Sequence, residues 1–183
     1  MKKTLLLSAL VLSFTSIANA ADAPEPTSGD ASIADVQWVG HAKVVPGSDI
    51  TITGENGAIE PSDGALNVNA DGTFETTTPV KLESRLYFDK DGDGSKEAGD
   101  LFKTNWTLNP AKPVTVTWGS NVVDGMNIKV KDLLSSKQLT DTAGSNEADR
   151  VSLSVTNTSP TSVPAADPRA ELNVQASILA TVA

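Results

Sequence analysis

The sequence predicts an all-β protein, an antiparallel β-sandwich, on three observations. Apolar residues recur at every second position in segment after segment, the pattern of strands with one buried and one wet face. Turn-forming clusters, Pro46-Gly47-Ser48, Glu55-Asn56-Gly57, Asp71-Gly72 and Asn109-Pro110, separate these segments at intervals that suit a sandwich. Helical periodicity is scarce, and only Lys131 to Leu139 offers a candidate short helix.

Taken in order, the elements begin with a targeting segment. Lys2 and Lys3 precede the apolar run Leu5 to Ile17, and Ala18-Asn19-Ala20 forms a small-residue cleavage signal, so residues 1–20 read as a secretory signal peptide. Their apolar part is too short for a mature membrane span. The mature chain is expected to begin near Ala21 and to be exported, with residues 21–33 as a flexible, Pro-containing leader. In Val36-Gln-Trp38-Val-Gly40-His-Ala42-Lys-Val44 the even positions are apolar or small, which predicts a half-buried strand within residues 34–45. Residues 46–183 are then the sandwich domain.

Val80-Lys-Leu82-Glu-Ser84-Arg-Leu86-Tyr-Phe88 has the same alternation. Shorter runs repeat it at Ile50 and Ile52, at Leu66 and Val68, and at Trp106 and Leu108. They continue at Val114, Val116 and Trp118, at Met126, Ile128 and Val130, and at Val151, Leu153 and Val155. The longest run closes the chain, with Leu172, Val174, Ala176, Ile178, Ala180 and Val182 on one face. A Ser/Thr/Pro-rich loop, Asn157 to Pro168, precedes it, and the sequence has no internal repeat.

Loss of the first 20 of 183 residues leaves a chain long enough for one adequate core. Because Lys2 and Lys3 leave with the signal, the formal charge falls from −9 to −11. Such acidity argues against nucleic acid and anionic membrane surfaces as partners, since both repel it. No later apolar run is long enough to insert the mature chain in a membrane. The chain has no cysteine, so stability must come from the apolar core, the backbone ladder and any bound ion.

One acidic stretch carries a ligand pattern. Asp89-Lys-Asp91-Gly-Asp93-Gly94-Ser95-Lys-Glu97-Ala-Gly-Asp100 places carboxylates at the offsets of an EF-hand calcium loop. Asp89, Asp91 and Asp93 fill the side-chain positions 1, 3 and 5, and Gly94 supplies the turn at position 6. Ser95 stands at the backbone-carbonyl position, Glu97 at the position often relayed by water, and Asp100 at position 12. Lys96 stands where such loops usually carry an apolar residue, and Asp at position 12 has a shorter arm than Glu. The expectation is a modest Ca2+ site, with Kd on the order of 10⁻⁴ to 10⁻³ M as in extracellular modules. The competing reading is a solvated acidic turn, rich in Asp and Gly because both tolerate left-handed backbone.

Catalysis finds little material. His41 is the one histidine and reads as a surface residue, cysteine is absent, and no serine stands in a nucleophile-elbow context. Paired carboxylates could serve a glycosidase, but the acidic residues concentrate in the calcium-like loop. Trp38, Trp106 and Trp118 fall on or near the inward phase of their strands and read as core rather than as a sugar-stacking platform. The expectation is a protein that is not an enzyme.

The segment Ala34-Asp-Val36-Gln-Trp38-Val-Gly40-His-Ala42-Lys-Val44-Val45-Pro46, shortly after the cleavage signal, resembles the N-terminal donor segment of major fimbrial subunits of the alternate chaperone-usher class. Val114-Thr-Val116-Thr-Trp118-Gly119, then Val151-Ser-Leu153-Ser-Val155, an Ala- and Pro-rich loop and the closing run Glu171 to Ile178 follow in the order of enteric colonisation-factor pilins. The resemblance implies an incomplete immunoglobulin-like sandwich completed by donor-strand exchange. A periplasmic chaperone would lend the missing strand first, an outer-membrane usher would export the subunit, and the next pilin subunit would then supply its own strand. The product would be a homopolymeric fimbrium on the cell surface. Val36, Trp38, Gly40, Ala42 and Val44 would be the donor residues. The bland alternative is that this strand simply pairs within its own domain; the rival from another class is an exported, monomeric, calcium-dependent β-sandwich binding module.

Overall fold

Period-2 patterning becomes strand wherever alternate side chains can reach a shared core. The computed structural model describes residues 23–38, 43–161 and 171–183. In chain order the strands are β1 (Ala31–Trp38), β2 (Lys43–Val45), β3 (Ile50–Gly54), β4 (Ala65–Val68) and β5 (Phe74–Thr78). They continue with β6 (Val80–Phe88), β7 (Glu97–Leu101), β8 (Thr104–Leu108), β9 (Thr115–Trp118) and β10 (Asn121–Val122). The last are β11 (Ile128–Asp132), β12 (Gln138–Leu139), β13 (Ser145–Ala148), β14 (Arg150–Asn157) and β15 (Leu172–Thr181). Among the described residues the helical element is a single 3-10 turn, Glu55–Gly57. No helix among them is long and apolar enough to cross a membrane.

Two antiparallel sheets pack as a sandwich. In the first, β15 is central: β1 lines one edge, and β9 and β8 share the other, facing residues 172–175 and 178–181 respectively. β2 lies outside β1, β10 outside β9 and β13 outside β8. In the second, β14 runs between β11 and the pair β6 and β5, with β12 outside β11 and β4 outside β5. β6 also pairs with β3 on its far edge and with β7 beyond β14.

The inner faces carry the residues that the alternation singles out. Leu172, Val174, Ala176, Ile178 and Ala180 of β15 are buried against Val151, Leu153 and Val155 of β14 and Val80 and Leu82 of β6, within one cluster. Trp38 and Trp106 are wholly buried, whereas Trp118 is half-buried at the margin. Trp106 donates its indole N–H to the Ala148 carbonyl at 2.7 Å. Among the described residues Trp38 has no partner for its Nε1, and the Cδ1 edge of its ring lies against Gly64, where there is no room for an added Cβ.

Two sequence expectations are corrected. Residues 131–139 hold no helix: β11 runs to Asp132, and the chain turns through Ser136, at φ 60°, into β12. The Asp132 carboxylate accepts from the backbone N–H of Leu134 and Ser135, so the side chain closes a turn that competes with helix. The strand expected as one run through Val36 to Val44 is two. β1 ends at Trp38, and β2 returns antiparallel with Val44 opposite Ala34. Turning back gives residues 33–35 main-chain partners on the edge that β15 leaves open.

Candidate functional site

Two features predicted from sequence bear on function, the N-terminal strand and the acidic hairpin loop. β1 fills a groove between the two sheets. Along one side its eight residues pair with β15, from Ala31 opposite Thr181 to Trp38 opposite Val174. The ladder extends outward through Val182 N–H to Asp30 O, 2.9 Å, and Gly29 N–H to Val182 O, 3.2 Å. Ala34 and Trp38 are wholly buried in the core. At about 25 cal/mol per Å² of apolar area, a buried tryptophan is among the largest single contributions a strand can make.

On the other side β1 meets β3, and there side chains rather than main chain make the connection. β3 pairs with β6 along one edge, which leaves the N–H groups of Ile50 and Ile52 directed at β1. The Asp30 carboxylate accepts from Ser48 N–H at 2.7 Å, Asp49 N–H at 2.8 Å and Ile50 N–H at 2.9 Å. The Ser32 hydroxyl, wholly buried, accepts from Ile52 N–H at 3.0 Å and donates to the Val45 carbonyl at 3.2 Å. Buried N–H groups without such partners would each cost about 1–3 kcal/mol. Of the predicted donor residues, Trp38 lies in the core, Val36 stands opposite Ala176 in the ladder, and Val44 packs half-buried from β2. Gly40 and Ala42, with His41 between them, lie outside the described residues.

The acidic loop joins β6 to β7 as an exposed hairpin. Asp89, Asp91 and Asp93 bring one carboxylate oxygen each to within 4.8 Å of one another. Asp89 accepts from the N–H groups of Gly92 at 2.7 Å, Asp93 at 3.2 Å and Gly94 at 2.8 Å, and Ser95 N–H donates to Asp93 at 2.7 Å. Gly94 sits at φ 90°, the left-handed turn that position 6 requires. Glu97 and Asp100 do not join this group, for they belong to β7, with Glu97 opposite Phe88. Three residues of strand carry Asp100 about 10 Å beyond Glu97. The Lys96 ammonium turns away, donating to the Ser48 carbonyl and lying 4.0 Å from Asp49. The three converging carboxylates fit a hard cation such as Ca2+, with loop carbonyls and water to complete its shell.

Sequence reading missed three polar centres. Asp30 is one, sitting in what composition suggested was a flexible leader. Glu83 is another, with its side chain 4 % exposed: Arg85 donates to it at 2.6 Å, Arg150 at 3.2 Å and Gly57 N–H at 3.0 Å. Burial alone would raise the Glu83 carboxyl. The two guanidiniums, with a backbone N–H of the 55–57 turn, outweigh that and hold it below the usual range. Asp132 is the third, 1 % exposed. It accepts from Leu134, Ser135 and Ser152 N–H and from the Ser145 hydroxyl, tying β11 and β14 of one sheet to β13 of the other. Burial pushes its pKa up, and these donors more than reverse the effect.

An Asp directly before a turn, accepting from the N–H two residues on as in Asp132-Leu-Leu134-Ser135, is a local signal that could have revealed this last centre. The fold itself offers an apolar groove strand and a carboxylate trio. No protein-family model, curated protein or solved structure matches this chain.

Proposed function

We propose that this chain is a structural subunit of a surface fimbria, exported through the periplasm and polymerising head to tail by strand donation. The observation that carries the reading is β1: an N-terminal segment that fills the sandwich core with Trp38 and Ala34, yet among the described residues is hydrogen-bonded to β3 through the side chains of Ser32 and the preceding Asp30. Lifting it out would expose the edge of β15, the N–H groups of β3 and a core slot. That is the kind of open edge that invites an added strand. A strand from a second copy offers the same ladder. Because each copy would give at one end and receive at the other, the contact does not close and a filament grows.

In this reading the sandwich is immunoglobulin-like, and a periplasmic chaperone and an outer-membrane usher handle the subunit before donation. The protein is structural rather than catalytic. The Asp89, Asp91 and Asp93 trio would bind Ca2+ and stiffen the β6–β7 hairpin, next to the Ser48–Asp49 turn that Lys96 holds. A second reading, an exported monomeric calcium-dependent binding module, draws on the same trio and on the closure of β1 onto its own chain.

Negative-stain electron microscopy of cells expressing the gene with its neighbours, labelled with antibody against this chain, separates the two. Labelled filaments are the expected result. Labelled soluble monomer would overturn the fimbrial reading in favour of the binding module.

A further inference from the structure

We infer that Asp30 and Ser32 are the register determinants of the groove: they decide which strand it accepts and at what offset. The inference rests on the donation reading only for which copy supplies the strand. Strand pairing is degenerate. A β-strand shifted by one residue turns its apolar face outward, but a shift of two keeps every side chain on its own face. Along β15 the inward residues are Leu172, Val174, Ala176, Ile178 and Ala180, an apolar track with no polar group to mark an offset. The main-chain ladder repeats every two residues as well. No polar group on the β15 side therefore distinguishes the observed pairing from one slipped by two, and only the fit of side-chain sizes, Trp38 against Gly64 above all, opposes a slip there.

The β3 side does distinguish them. Ile50 and Ile52 present N–H groups two residues apart, and Asp30 and Ser32 present acceptors two residues apart. The sites differ in kind. The outer one offers three N–H donors, from Ser48, Asp49 and Ile50, which suit a carboxylate. The inner one offers one donor, Ile52 N–H, and one acceptor, the Val45 carbonyl, which suit a hydroxyl. A slip in one direction puts Ala34 at the inner site, where it has no acceptor for Ile52 N–H. The opposite slip puts Asp30 there, and a carboxylate has no proton for the Val45 carbonyl. Only a strand with a carboxylate and, two residues later, a hydroxyl satisfies both places. The partner that fits is the N-terminal segment of a copy of this chain.

The test uses the absence of native cysteine. Full-length chains carrying Gln37→Cys with Gln175→Cys report the observed register, since these positions are opposite each other. Chains carrying Gln37→Cys with Asn173→Cys, or with Ser177→Cys, report slips of two. With Asp30 and Ser32 intact, oxidation is expected to close only the first pair. In Asp30→Ala/Ser32→Ala the slipped pairs should form as well, with a matching loss of the first.

Ser32→Ala alone, a small change at a buried site, provides the same readout if the double variant fails to fold. Exclusive in-register closure in both variants would overturn the inference, as would slipped closure in the unaltered chain. Whether the disulfide joins one chain or two is read separately on a non-reducing gel. Closure within single chains only would count against donation while leaving the register determinants in place.

Discussion

The two edges of β15 are covered in different ways. β8 and β9, on one edge, are built into the fold: β13 flanks β8, β10 flanks β9, Trp106 is anchored to Ala148, and Asn109 bonds Ser177 through both its backbone N–H and its side chain. β1, on the other edge, comes from the start of the described chain. Its outer neighbour β2 pairs with residues 33–35, and among the described residues its hydrogen bonds to β3 run through the side chains of Ser32 and the preceding Asp30. Both edges place a tryptophan in the core, Trp38 from β1 and Trp106 from β8. Among the described residues, Trp106 of the two finds a partner for its indole N–H. The difference teaches that equal burial need not mean equal permanence. β8 and β9 close the edge by interlocking, whereas β1 closes it by insertion.

The largest expected effect comes from putting a charge at each tryptophan. Trp38→Asp and Trp106→Asp should each cost more than about 4 kcal/mol, since both remove a large buried side chain and leave a buried charge. A peptide of residues 27–38 with the native sequence should restore the melting transition of Trp38→Asp and not that of Trp106→Asp. Assembly of Trp38→Asp subunits into normal filaments would refute the role given to β1.

A smaller effect tests the permanent side of the sandwich. Asp132→Asn should destabilise the protein by about 3 kcal/mol, measured by urea denaturation, because four donors lose a charged acceptor. The folded-state pKa values of Asp132 and Glu83 lie below their ordinary values, so both carboxylates stabilise above the unfolded carboxylate range. That stability is lost as pH falls below about 4 toward the depressed folded-state values. Acid unfolding followed by circular dichroism should therefore flatten in Asp132→Asn. An unchanged acid transition would remove Asp132 from the account.

Gly64→Ala should cost about 1–3 kcal/mol, because the new methyl group presses on the Trp38 ring. Hydrogen exchange should show the loss first in the β1 ladder, and a uniform loss across both sheets would mean that β1 is as integral as β8. The smallest effect belongs to the acidic loop. Calcium at about tenfold over Kd should stabilise the protein by about 1.4 kcal/mol, and Asp89→Ala/Asp93→Ala should abolish that gain. Equal melting with calcium and with chelator would dismiss the site.

The sequence displayed what repeats and concealed what is singular. Alternation identified the inward residues of β14 and β15 and, in β6, Val80 and Leu82, whereas Leu86 and Phe88 of the same run lie half-buried outside the core cluster. It could not show where Val36 to Val44 breaks, since β2 continues the apolar phase while reversing direction. The spacing Asp89, Asp91, Asp93 survived folding because the three residues share one tight loop. Asp100 left the set because β7 extends its backbone where an EF-hand loop would curl. Asp30 and Asp132 were hard to see because their partners include backbone groups 18 to 20 positions away, and the local donors of Asp132 sit in a turn read as helix; Glu83 was hidden because only Arg85 is near in sequence, while Gly57 and Arg150 lie 26 and 67 positions away.

The most direct measurement of the central claim uses two chains, each with one cysteine: Gln37→Cys in one copy and Gln175→Cys in the other, co-expressed and exported together. Strand donation predicts a disulfide between the two chains, present in filaments and absent when Trp38→Asp is added to the Gln37→Cys copy. No disulfide between copies, with ready closure in a single chain carrying both cysteines, would contradict it and leave β1 as a strand of its own domain.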